Sequence, residues 1–226
     1  MKHIIANFKS NKNTAEIKEW VSVFLHAIQH QALSTSIVLC PPLPHLSFFE
    51  SVSRTKNIAL GVQDMSPFPA GSYTGAVGTK NLEEYKIQFA IVGHSERRRY
   101  FHETNQDIAN KVHECIQAGI TPIVCVTKEE INAQANALTD DERKKVMVAF
   151  EPIEHIGTGT SDSLTNILET KKWIQTAFGD VPYIYGGSVN PSTDSTILQS
   201  EDIDGFLVGS ACLDPEVFYT LLSKIQ

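Results

Sequence analysis

The chain has 226 residues, 42% of them apolar and 20% charged, which is enough to bury a sizeable core and about the length of one large domain. Its formal net charge of −7 excludes a general nucleic-acid binder, which needs a basic face, and no apolar run reaches transmembrane length. An anion can still bind to such a chain, but only at a local site built from amides and lysines.

The first element is a β-like run at Ile4–Phe8. Asn13 and Glu16 have the spacing of a capping box, and Ile17, Trp20, Val21, Phe24, Leu25 and Ile28 recur behind them at helical spacing. Ile37–Leu39 is the second run, ended by Pro41 and Pro42, and Ile58–Val62 and Ile87–Val92 are the third and fourth. Asp107 opens a further helix, with Ile108, Val112, Cys115 and Ile116 on one side and Gly119 as its stop. Ile123–Val126 is the fifth run, and one modest helical pattern follows it around Ile131–Leu138. Val146–Phe150, Tyr183–Tyr185 and Phe206–Val208 complete a set of eight.

Runs that are apolar throughout suit parallel strands covered on both faces. Eight of them predict an α/β fold, a single (β/α)8 barrel over residues 1–226, in preference to an open doubly wound sheet. The helical pattern is weak after the third and seventh runs. No linker, low-complexity segment or composition shift divides the chain. Cys40, Cys115, Cys125 and Cys212 are widely spaced, with no CxxC pair and no neighbouring histidine pattern. They read as free thiols in a reducing cytosol, not as a zinc site or a disulfide framework. With no signal-like run in Met1–Lys9, a soluble cytoplasmic protein with no metal and no cofactor is expected.

In such a barrel, chemistry sits at the carboxyl ends of the strands. The polar residues just past each run are Asn7 and Lys9, Gln63, His94-Ser95-Glu96, Glu151, Gly186-Gly187-Ser188 and Gly209-Ser210. A cation, an imidazole, a lone carboxylate and two glycine turns suit acid/base work on a phosphorylated carbonyl compound. Glu151 ends an apolar strand and is followed by Pro152, and a partly desolvated carboxylate is a suitable base for a carbon-bound proton. His94 and Asn7 are the candidate donors to the developing oxyanion. Lys9, two residues past Asn7 and expected on the same face of the first strand, supplies a positive charge. Glycines at 157, 187 and 209 allow a phosphate to approach the backbone, and Ser188 and Ser210 offer amides beside them.

Five segments in chain order resemble triosephosphate isomerase: Asn7-Phe8-Lys9, Val92 to Arg98, Glu151-Pro152 with Ile156 to Gly159, Tyr185 to Val189, and Leu207 to Gly209. The resemblance spans essentially the whole chain. It implies proton transfer between neighbouring carbons of a triose phosphate, with Glu151 as base and His94, Asn7 and Lys9 around the enediolate. It also implies phosphate binding by Lys9, Gly157, Gly187, Ser188, Gly209 and Ser210, and places Glu96 near Lys9, either to orient it or within an ion-pair network.

The implied assembly is a homodimer joined through the segment Gly71–Ala76, and a trimmed stretch between Cys125 and Glu151, similar to archaeal members, leaves a tetramer open. Departures from the family pattern are Glu154 and His155 in place of Trp-Ala in the mobile loop, Ala76 in place of an acidic residue, and Ser210 in place of a glycine. A different barrel enzyme acting on a phosphorylated ligand lacks the Lys9, His94 and Glu151 combination, and a pure binding protein has no need of a base.

Overall fold

The computed structural model describes residues 1–29, 34–153 and 160–225. Eight parallel strands close into a barrel in strict chain order, β1 beside β2 and so on round to β8 beside β1. The strands are β1 His3–Asn7, β2 Ser36–Cys40, β3 Ile58–Val62, β4 Phe89–Val92, β5 Thr121–Val126, β6 Met147–Phe150, β7 Tyr183–Tyr185 and β8 Gly205–Val208. Every run expected from the sequence is a strand, and the single (β/α)8 barrel follows.

Alternation along each strand divides the core in two. One set, including Ile5, Val38, Ile91, Ile123, Ala149, Ile184 and Leu207, fills the barrel interior. The other set, including Ile4, Leu39, Val92, Val124 and Phe206, points outward against the helices. This two-sided burial is why the strands read as unbroken apolar runs.

The helices are α1 Thr14–Ile28, α2 Glu50–Ser53, α3 Ser95–Phe101, α4 Asn105–Gln117, α5 Ile131–Asn136, α6 Asp140–Arg143, α7 Leu164–Phe178, α8 Ser195–Leu198 and α9 Pro215–Lys224. Asn13 caps α1 through the amides of Ala15 and Glu16, and the Glu16 carboxylate accepts from the Asn13 amide at 2.7 Å. A cap of this kind stabilises a helix by about 0.5–2 kcal/mol.

After β3 there is only the 3-10 turn Thr79–Tyr85, and after β7 only the short α8, where the helical pattern is weak. Two helical boundaries differ from expectation. The cap of α4 is Thr104, and Asp107 is the third residue of its box, so the helix starts at Asn105. Between β5 and β6 the expected pattern Ile131–Leu138 ends at Asn136, and a second box, Thr139 with Glu142, starts the separate α6. In both places a threonine cap competes with apolar periodicity and sets the boundary.

The four cysteines are buried and free, Cys40 and Cys125 inside the barrel. No helix among the described residues is long and apolar enough to cross a membrane.

Candidate active site

At the carboxyl ends of the strands lies a cleft of about 160 Å³. That is under the roughly 300–1,000 Å³ of pockets for drug-sized ligands and suits a small substrate. Eight of the nine residues expected from the sequence line it: Asn7, Lys9, His94, Glu151, Gly187, Ser188, Gly209 and Ser210. Gly157 lies outside the described residues, as do Glu154 and His155 of the same segment. Asn190 and Ala211 also line the cleft and were not singled out in the sequence, because neither belongs to a strand end or a glycine turn.

Glu151 follows β6 and is 2% exposed. Its amide donates to Val126 O at 2.9 Å, which fixes its backbone on β5. A buried carboxylate needs donors, and it has two. The Ser95 amide donates to Oε2 at 2.7 Å, and His94 Nε2 stands 2.9 Å from Oε1.

The histidine is oriented by the backbone. His94 is the N-cap of α3, and its Nδ1 accepts from the Glu96 amide at 3.2 Å. Because Nδ1 accepts, the ring proton sits on Nε2 and points at Glu151. The Glu96 carboxylate lies 3.6 Å from the same Nδ1, beyond hydrogen-bond range, and does not compete.

This turn depends on Gly93, at φ 71°, where an added Cβ would meet Ile108 Cδ1 at 2.7 Å. Arg98 pins it: Nε donates to Gly93 O at 2.8 Å, while Nη2 donates to Cys125 O at 3.1 Å and Gln134 Oε1 at 2.9 Å. Arg98 thus ties the end of β4 to the end of β5. The sequence shows Arg98 within a motif but gives it no role, since only the fold brings Cys125 and Gln134 to it.

Lys9 is not on the strand, contrary to expectation. β1 stops at Asn7, and Lys9 follows in the left-handed region at φ 51°. Such a conformation is costly for a side-chain-bearing residue and persists only where surroundings impose it. Here Asn7 Oδ1 accepts from the Lys9 amide at 3.0 Å, and Gln63 Nε2 donates to the carbonyls of Lys9 at 2.9 Å and Cys40 at 3.0 Å. The bend carries the ammonium over the cleft, where it meets Glu96 Oε1 at 2.6 Å.

The glycine turns enclose the opposite side. A Cβ on Gly187 would stand 2.2 Å from Tyr185 Oη and 3.1 Å from Pro152 Cγ, so only glycine fits. The Tyr185 hydroxyl accepts from the Asp162 amide at 2.9 Å, and burial pushes its pKa up to about 12. Burial, with Glu151 nearby, likewise raises the Cys125 thiol well above its usual range, so it offers no nucleophile. Past β8, the 3-10 turn Ser210–Cys212 begins beside the cleft. Its own bonds use the amides of Cys212 and Leu213, which leaves those of Ser210 and Ala211 ahead of the first bond.

The arrangement holds one buried carboxylate, an imidazole N–H, a carboxamide, an ammonium and two amide-bearing turns around a small space. It can move a proton on a small anionic carbonyl compound. A sequence model of the triosephosphate isomerase family matches residues 2–225. Among similar curated proteins, the triosephosphate isomerase of Mesomycoplasma hyorhinis is 35% identical, covering 97% of this chain and 97% of its own. That of Colwellia psychrerythraea is 34% identical over 99% and 97%, and that of Aquifex aeolicus 33% over 95% and 96%.

Proposed function

The chain belongs to the triosephosphate isomerase family and interconverts dihydroxyacetone phosphate and D-glyceraldehyde 3-phosphate through an enediolate, and from that premise we propose how its own residues divide the work. Glu151 is the base. It takes the proton from the carbon next to the carbonyl and returns it to the neighbouring carbon, while the hydroxyl proton passes from one oxygen to the other by way of His94. The observation that carries this is the carboxylate itself, buried at the cleft and held by the Ser95 amide and His94 Nε2. In the free enzyme these donors park it. When substrate enters, its carbonyl oxygen takes the His94 proton in place of Oε1, and a side-chain rotation brings the freed carboxylate to the carbon.

His94 Nε2–H then faces the developing oxyanion, already in the donor tautomer, so no proton has to be relocated first. Asn7 has its Oδ1 occupied by the Lys9 amide, which leaves its Nδ2 as donor. Lys9 supplies positive charge to both enediolate and phosphate, and Glu96 orients it. The phosphate sits between Lys9 and the turns Gly187-Ser188 and Gly209-Ser210, and by family resemblance Gly157 joins them. No metal or cofactor is called for.

One barrel domain spans residues 1–226, in a cytosolic homodimer. Phe68 and Tyr73 stack at 4.5 Å and are both exposed, beside a cleft lined by Asp64, Met65, Arg97 and Phe101. Light scattering separates the dimer from a monomer or a tetramer.

The test is isomerisation of glyceraldehyde 3-phosphate, coupled to reduction of dihydroxyacetone phosphate, in deuterated water. The parent should incorporate solvent deuterium at carbon, and a folded Glu151→Gln variant should neither turn over nor exchange. Exchange at the parent rate in that variant assigns the base elsewhere.

A further inference from the structure

Trp20 lies on α1, outside the lining of the cleft. It is 1% exposed, and its indole Nε1 donates to the carbonyl of Cys212 at 2.9 Å. Cys212 ends the 3-10 turn whose start, Gly209 to Ala211, lines the cleft. The indole is wedged among aromatic rings: Phe8 edge-on at 5.0 Å, Phe24 stacked at 4.7 Å, Phe49 at 5.6 Å and Phe218 at 6.3 Å. Phe8 is the residue between Asn7 and Lys9. One side chain therefore touches both walls of the anion site, the β1 wall through the Phe8 ring and the β8 wall through the Cys212 carbonyl.

We propose that Trp20 is a positioning residue that sets the gap between the Lys9 ammonium and the amides of Ser210 and Ala211, and thereby the affinity of the site for the phosphate group of the substrate. This rests on the phosphate placement given above.

The physical reason lies in how the turn is held. It contains three residues and closes on itself with two hydrogen bonds, Cys212 N to Gly209 O and Leu213 N to Ser210 O. The turn packs against α9, which starts at Pro215, and the Trp20 indole adds a side-chain hydrogen bond from α1. Tilt matters because the turn starts close to Lys9: a Cβ on Gly209, the residue just before it, would stand 3.5 Å from Lys9 Cε and 4.0 Å from Nζ. A small change of gap alters both a charge-assisted contact and the aim of two amides.

A hydrogen bond to a carbonyl near the turn's end fixes that tilt, and the four rings around the indole remove its freedom to follow a displaced turn. Aliphatic residues of similar bulk could fill the same volume but could not make the bond. The donor, and not the volume, sets the tilt.

Trp20→Phe keeps a ring in the cluster and deletes the donor, and Trp20→Leu deletes the donor and also leaves a cavity. Three quantities are measured on each: melting temperature, the dissociation constant of 2-phosphoglycolate, and kcat/KM for glyceraldehyde 3-phosphate and for unphosphorylated glyceraldehyde. Both variants should bind 2-phosphoglycolate about three- to tenfold more weakly, through poorer aim of the charge-assisted amide contacts to the phosphate. The loss should be similar in the two although the Leu variant melts lower. Turnover of the phosphorylated substrate should fall mainly through KM, with glyceraldehyde turnover unchanged, since that substrate has no phosphate to place.

Parent-like affinity in a folded Trp20→Phe variant overturns the proposal. So does an equal loss for both substrates, which marks a general loosening of the barrel. A Lys9→Met control tells the two levels apart. If that variant also keeps full 2-phosphoglycolate affinity, the phosphate placement fails and the role of Trp20 with it. If Lys9→Met weakens binding and Trp20→Phe does not, only the role of Trp20 fails.

Discussion

Shortening Glu151 by one methylene tests the proposed base most directly. In Glu151→Asp the carboxylate retreats by about one C–C bond, roughly 1.5 Å. The backbone cannot follow it, because the Glu151 amide is bonded to Val126 O at 2.9 Å and the next strand is bonded to Phe150 O through the Gly186 amide at 2.8 Å. Contacts now at 2.7 Å to Ser95 N and 2.9 Å to His94 Nε2 should both be lost. Misplacement of a reacting group by about 1 Å costs on the order of 10²-fold, so kcat should fall about 10²- to 10³-fold, a barrier increase of about 3–4 kcal/mol.

Stability should fall by about 1–3 kcal/mol, since the buried carboxylate gives up both donors, although the partly exposed Ser95 amide can take a water. The assay is the coupled isomerase measurement at saturating substrate, with the melting temperature recorded on the same preparation. A folded variant with kcat within a few-fold of the parent refutes the assignment of Glu151 as base.

Lys9→Met should weaken 2-phosphoglycolate binding and abolish turnover together, because Lys9 is the only lysine among the described residues lining the cleft; unchanged affinity, read by calorimetry, would make it a bystander. Gly187→Ala places a methyl 2.2 Å from Tyr185 Oη and should cost about 1–3 kcal/mol of stability along with turnover, and an unshifted denaturation midpoint contradicts that clash. The last concerns acid stability. Burial lowers the His3 pKa from 6.5, with the N-terminal charge adding to this and Asp204 opposing it. The unfolded chain therefore binds the proton more readily, so this contribution is present above pH 6.5 and is lost as pH falls below it. His3→Gln should shrink the drop in melting temperature between neutral and mildly acidic pH, and an unchanged drop removes His3 from the account.

Amino-acid order alone determined the barrel and most of its site. All eight strands were legible because each is buried on both faces through its middle and so carries an apolar run, and eight of nine expected site residues meet at one cleft because parallel strands deliver all their carboxyl ends to the same side. Helix starts were less legible. Thr104 and Thr139 set them through side-chain bonds to amides that no hydrophobic period records.

What only the tertiary structure decided was orientation. Lys9 was expected to lie along β1, yet it bends away at φ 51° because Gln63, arriving from β3, holds its carbonyl. The tautomer of His94 follows from the Glu96 amide, the seat of Gly93 from Arg98, and the aim of the turn after β8 from an indole 192 positions away along the chain. Each is a hydrogen bond between groups distant in sequence or dependent on a backbone turn. A residue's identity says that it can donate, but only the closed barrel says to what.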